Sequence, residues 1–186
     1  MRDGDALKEA LCERLSARPN IALTMSIAHE AIDDAPTLHA LLQLVYTAED
    51  PLRWRAAWAL TKVAEQCPSL LVVQRDRLAS LAIHTDVSQG LIRLLLVLLY
   101  SLPDAEEIDV ALLNCLLDTM VCLQAPPSVQ ALAMKLAFRI CSADDDLRGE
   151  FLCIVQSMEL DLYSPGVRAA ARQCLKKRIK RNNIYR

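Results

Sequence analysis

Glycine is scarce in this chain: 186 residues contain four, at positions 4, 90, 149 and 166. That spacing cannot build a G-x-G-x-x-G or Walker loop, which excludes nucleotide binding through those motifs. Histidine is equally thin. His29, His39 and His84 stand apart, with no partner at i+4 and no cysteine at ligand spacing, so no metal site is expected. The stretch Asp144-x-Asp146-x-Arg148-Gly149 opens like a calcium loop, but its fifth position is Arg148 and its twelfth Val155, where oxygen ligands are required. No G-x-S-x-G or Ser-x-x-Lys context offers a nucleophile. The seven cysteines form no C-x-x-C. Cys115, Cys141, Cys153 and Cys174 fall among helical apolar positions, as buried thiols acting as small hydrophobes do. Free thiols suit a reducing compartment. The start, Met1-Arg2-Asp3-Gly4-Asp5, lacks the basic segment and apolar run of a signal peptide. The longest apolar run, Leu91 to Leu102, is interrupted by Arg93 and too short to span a bilayer. The expectation is a soluble cytoplasmic protein, not an enzyme, with no cofactor and no membrane association.

What the chain has in quantity is leucine and alanine, arranged with a period. Composition is 53% hydrophobic, which with so little glycine favours packed helices over a β-sandwich. One apolar face, with small or apolar residues at +4, +7 and commonly +8 and +11, recurs five times. It appears as Ile21-Met25-Ala28-Ile32, as Leu52-Ala56-Ala59-Leu60-Val63, and as Val87-Leu91-Leu94-Leu95-Leu98. It returns as Val129-Ala133-Leu136-Ala137-Ile140 and as Val167-Ala171-Cys174-Leu175. A helical face recurring every 30–45 residues, roughly, marks a helical solenoid. Each face is preceded by a second helical stretch: Leu7-Leu11-Leu15, Leu38-Leu41-Leu42-Val45, Leu70 to Ile83, Ile108-Leu112-Cys115-Met120, and Leu147-Phe151-Ile154-Met158. The unit is therefore an outer helix, a short turn and an inner helix. Pro19, Pro51, Pro126, Pro127 and Pro165 stand just before the inner helices, where a missing backbone donor costs nothing. Asp50, Asp86, Ser128 and Ser164 are candidate N-caps, and Asp144 to Asp146 are expected to cap the fifth outer helix. A lone helical hairpin cannot bury its apolar face, but a stack can.

The stretches Pro51-Leu52-Arg53-x-x-Ala56-x-x-Ala59-Leu60 and Pro165-Gly166-Val167-Arg168-x-x-Ala171 resemble the inner helix of HEAT repeats. Repeats three and four carry Ser88 and Gln130 where the arginine would be. The resemblance covers nearly the whole chain. It implies an all-α fold, a right-handed α-α superhelix of about five hairpins, with residues 1–186 as a single repeat domain. It also implies that Arg53 and Arg168 are structural, each bonding an acid in an inter-repeat ladder. From about Pro51 onward the chain also looks like a group of small, uncharacterised bacterial HEAT-like proteins, on Trp54-Arg55-Ala56-Ala57-Trp58 and Val129-Gln130-Ala131-Leu132-Ala133-Met134-Lys135. Some of that group carry an adenylosuccinate lyase label, but the Gly- and Ser-rich signature loop of that lyase is absent here.

Net charge is −2, so no global field points to nucleic acid or an acidic membrane. The charges are nonetheless split by helix layer. The inner helices from repeat two onward are basic, with Glu65 their only acid beyond the caps. The fourth and fifth outer helices are acidic, from Glu106 to Glu159, against Arg148. At about 100° per residue, positions +2, +3, +6 and +10 point away from the buried face. They hold Trp54, Arg55, Trp58 and Lys62 in repeat two, Arg93 in repeat three, Lys135 and Arg139 in repeat four, and Lys177 in repeat five. These eight are the candidate partner-binding residues. Basic residues late in a helix also complement its dipole, which accounts for Lys62, Arg139 and Lys177 without a ligand. Trp54 and Trp58 either pack on the first repeat or stand exposed as anchors, and aromatic and Arg anchors dominate binding energy at interfaces.

The function expected is a non-catalytic protein-interaction module whose concave inner-helix face binds an acidic or extended segment of another protein. The alternative is nucleic-acid binding through the same basic stripe, with the steep salt dependence of phosphate contacts. That would be related in architecture to the HEAT-like DNA glycosylases, but the stripe offers no catalytic Asp. A third reading is self-association, the basic layer of one copy meeting the acidic layer of another.

Overall fold

A computed structural model describes the backbone of residues 2–84 and 86–182 and the side chains of residues 6–84 and 86–176. Among the described residues the chain is all helical, with ten α-helices and no strand. The helices follow one another as five consecutive hairpins: α1 (Arg2–Ser16) and α2 (Ile21–Asp33), α3 (Ala35–Thr47) and α4 (Leu52–Gln66), α5 (Arg75–Ala82) and α6 (Gln89–Ser101), α7 (Val110–Val121) and α8 (Pro127–Cys141), and α9 (Asp145–Ser157) and α10 (Pro165–Asn182); α1 packs chiefly on α3 and not on α2. The chain divides into two compact units, residues 1–103 with three hairpins and 104–186 with two.

In the first unit α4 is the centre, packed against α2, α3 and α6. Its sequence allows this. Ala56, Ala57, Ala59, Leu60 and Val63 are all fully buried, and the small side chains let neighbouring helices approach. A leucine at Ala59 would overpack that junction at a cost of about 1–3 kcal/mol. In the second unit α8 plays the same part between α7 and α10, through Val129, Ala133, Leu136 and Ala137. Phe138 and Phe151, with ring centroids 5.6 Å apart, join α8 to α9.

Two expectations change. The buried face of α2 is Thr24, Ile27, Ala28 and Ala31, while Ile21 is 55% exposed. Its register starts one residue earlier, at Asn20, because Asn20 is the N-cap and its side chain accepts from the Leu23 amide at 2.8 Å. The third outer stretch is not one helix. A 3₁₀ segment, Pro68–Gln74, precedes the short α5. It buries Leu71 and leaves Leu70, Val72 and Val73 outward.

The caps also differ in part. Ser164 accepts from the Val167 amide and Asp144 from the amides of Asp146 and Leu147, as expected. The cap of α6 is Ser88 and not Asp86. Helices α4 and α8 follow Pro51 and Pro126 with no side-chain cap, so Asp50 and Ser128 do not serve.

Candidate functional site on the inner helices

The side chains beside the buried faces sort first into those that tie helix ends. Arg53 does not reach an acid. Its Nε donates to the Val45 carbonyl at 2.8 Å, closing an orphan carbonyl in the last turn of α3. Gln130, at the same position of repeat four, does the same job: its Nε2 donates to the Cys122 carbonyl at 2.6 Å. Both partners lie eight residues back, so one geometry is served by two residue types. Repeat five departs from it. An extra 3₁₀ turn, Leu160–Leu162, lengthens its connection, and the carbonyl eight residues before Arg168, that of Leu160, accepts instead from the Tyr163 amide at 3.1 Å. The Arg168 Nε is buried without a hydrogen-bond partner among the described residues.

Of the eight candidate binding residues, five lie in the first unit. Arg55 is committed to the fold: its Nη1 donates to the carbonyls of Leu15 at 2.6 Å and Ala17 at 3.1 Å, capping the end of α1. Lys62 pairs with Glu65 at 2.6 Å, one turn along α4. Trp54 and Trp58 are half-buried and form a tilted pair, with centroids 5.6 Å apart and planes at 39°. Trp58 lines a shallow depression with Leu15, Pro19, Leu23 and Thr24, leaning on the first repeat. Trp54 leans the other way, onto Gly90 in the first turn of α6. A Cβ there would lie 3.3 Å from the indole Nε1 and 3.4 Å from Cδ1. Trp58 thus rests on the first repeat, while Trp54 rests on the third and not the first, and each ring is half-buried. Arg93, one turn beyond Gly90 on α6, is exposed. No hydrogen bond or ion pair engages it among the described residues.

In the second unit Lys135 is half-buried on α8. Arg139 forms an ion pair with Asp104 at 3.0 Å. Lys177 lies outside the residues whose side chains are described. Sequence spacing alone could assign these residues only an angular position on each helix. It could not reveal the partners of Arg55 and Arg139, Leu15 and Asp104, which lie far back in the chain.

No disulfide joins the cysteines; Cys141 and Cys174 are buried as expected, but Cys115 is only half-buried and Cys153 is exposed, on the outward side of α9. Cys141 is buried, and burial, with Glu150 and Asp144 nearby, pushes its thiol up to about 11, so it stays protonated and unreactive at neutral pH. Among the described residues no group of three His, Cys, Asp or Glu gathers where a metal ion could be held. No helix there is long and apolar enough to cross a membrane.

Helical hairpins with small residues on the inner helices and arginine or glutamine closing the outer helix define an α-helical repeat protein. The model of the HEAT repeat domain matches residues 11–178, and the chain belongs to that family. No curated protein and no solved structure matches it.

Proposed function

We propose that the chain is a non-catalytic interaction module of the cytoplasm, and that a segment of another protein docks across the inner helices of residues 1–103, on Trp54, Trp58 and Arg93. The observation that carries this reading is the tilted tryptophan pair, half-open to solvent and one helix away from an exposed, unengaged arginine. Aromatic surface held rigid by packing binds at small entropic cost, and a nearby guanidinium selects a carboxylate. An extended, acidic segment with an apolar side chain for the depression beside Trp58 fits these groups.

Nucleic acid is the weaker reading. Each phosphate contact requires an available cation, and Arg55, Lys62 and Arg139 are spent on carbonyls or carboxylates within the chain. Affinity capture with wild type and with a Trp58→Ala/Arg93→Glu variant, in nuclease-treated lysate, tests the proposal. Proteins recovered by wild type and lost by the variant are expected. Identical recovery by both would overturn it, as would binding that disappears on nuclease treatment.

A further inference from the structure

The second unit carries an apolar patch that neither the fold nor the proposed function uses. Tyr163, just ahead of α10, donates its hydroxyl to the Val121 carbonyl at 2.8 Å. That bond brings the end of α7 against the 3₁₀ turn Leu160–Leu162. The two segments present Val121, Leu123 and Leu162, which are 38%, 51% and 61% exposed. Asp118, Glu159 and Asp161, all exposed, belong to the same two segments. Glu159 and Cys122 are close enough to Tyr163 to help burial push its phenol above the usual range. The result is an apolar surface rimmed by acids, with no cation on either segment. Exposed apolar surface rimmed by polar groups marks an interaction site, and here the rim selects a basic partner.

The chain itself contains a matching segment. Lys176-Lys177-Arg178-Ile179-Lys180-Arg181 is a basic run with one central isoleucine, inside helix α10. It cannot meet the patch of its own molecule. Helix α10 starts two residues after Tyr163, and at 1.5 Å per residue the run lies about 17–24 Å along its axis. Val167, Ala171 and Cys174 hold that helix in the core of the unit. The geometry points to a second copy: the basic end of α10 from one molecule docks on the Val121–Leu123–Leu162 patch of the next. The contact is head-to-tail, so it leaves a patch and a basic end free and builds short open chains or a ring.

Sedimentation velocity on the full chain tests this, at about 50 mM and about 500 mM salt, where the screening length differs roughly threefold. Concentration-dependent association at low salt and its loss at high salt are expected. Asp118→Lys/Asp161→Lys and Arg178→Glu/Arg181→Glu should each weaken association by about tenfold or more. An equimolar mixture of the two variants should restore it, because the mixture again contains a matched acidic patch and basic end. Leu162→Gln, at an exposed site, should weaken it without altering helical content. That keeps the test open if a charge reversal fails to fold, and it separates docking from diffuse attraction. A monomeric wild type at low salt, a mixture that stays monomeric, or wild-type association by Leu162→Gln would each overturn the proposal.

Discussion

Replacing Gln130 isolates the device that closes the outer helices. Its side chain is 3% exposed and its Nε2 meets the Cys122 carbonyl at 2.6 Å. Gln130→Met keeps the volume and removes the donor, leaving the carbonyl only its second bond, from the Ala125 amide at 3.1 Å. A lost hydrogen bond of this kind costs about 1–2 kcal/mol, which for a chain of this length lowers the melting temperature by about 2–8 °C. Gln130→Glu places an acceptor against an acceptor and buries charge, so it should cost more than methionine. Gln130→Arg should recover most of the stability, because Arg53 fills the same position in repeat two, eight residues after its carbonyl. Urea unfolding followed by circular dichroism ranks the four proteins. The expected order is Gln and Arg together, then Met, then Glu. A methionine variant as stable as wild type, or an arginine variant no better than methionine, would refute the reasoning.

Three further outcomes follow from single contacts. The Glu30 carboxylate accepts from both Arg14 nitrogens, at 2.5 and 2.8 Å, and the hydrogen bond from Arg14 holds it below its ordinary 4.5. A depressed folded-state value means stability present above 4.5 and lost as pH falls through the folded value. Glu30→Gln should therefore lower the urea midpoint at pH 7 by an amount worth up to about 1 kcal/mol, since the pair is exposed, and match wild type in strong acid; a constant gap at all pH values would count against the pair. Iodoacetamide at pH 8 should label Cys122 and Cys153, which are exposed, well before Cys141, as peptide mass mapping would show; equal labelling of native Cys141 contradicts its burial. Gly90→Ala should change Trp54 emission and gain less than the roughly 1 kcal/mol that alanine offers over glycine in a helix, since the new methyl presses the indole; the full gain with unchanged emission would show that the ring does not rest there.

The hairpins were legible because burial follows the helical period, and Leu, Ala and Val mark that period in four of the five inner helices. The first was misphased by Ile21, an apolar residue that happens to follow the cap Asn20 and faces solvent. The outer stretch of repeat three, Leu70 to Ile83, read as one helix because its apolar residues at either end of Gln74-Arg75-Asp76-Arg77 suit either form. Pro68 opens it as a 3₁₀ segment instead, and only Leu71 in that segment finds the core. The site was legible as to side and not as to state. Angular position pointed Trp54, Trp58, Lys62 and Arg93 away from the buried face, yet only Arg93 is exposed, because exposure depends on what approaches from elsewhere in the chain. Gly90 against Trp54 and the Leu15 carbonyl against Arg55 are such approaches, and no local pattern announces them. The ladder expected of Arg53 failed for a related reason: the resemblance supplied an acid as partner, while the last turn of α3 supplies the Val45 carbonyl.

The central claim is that partners meet the inner helices of residues 1–103, not the outer ones. A photo-crosslinking amino acid placed at Arg93 on α6, and separately at the exposed Gln43 on the outer helix α3, tests it in living cells. Covalent adducts with another protein from position 93, reduced by Trp58→Ala and absent from position 43, are predicted. Adducts from position 43 with none from position 93 would contradict it.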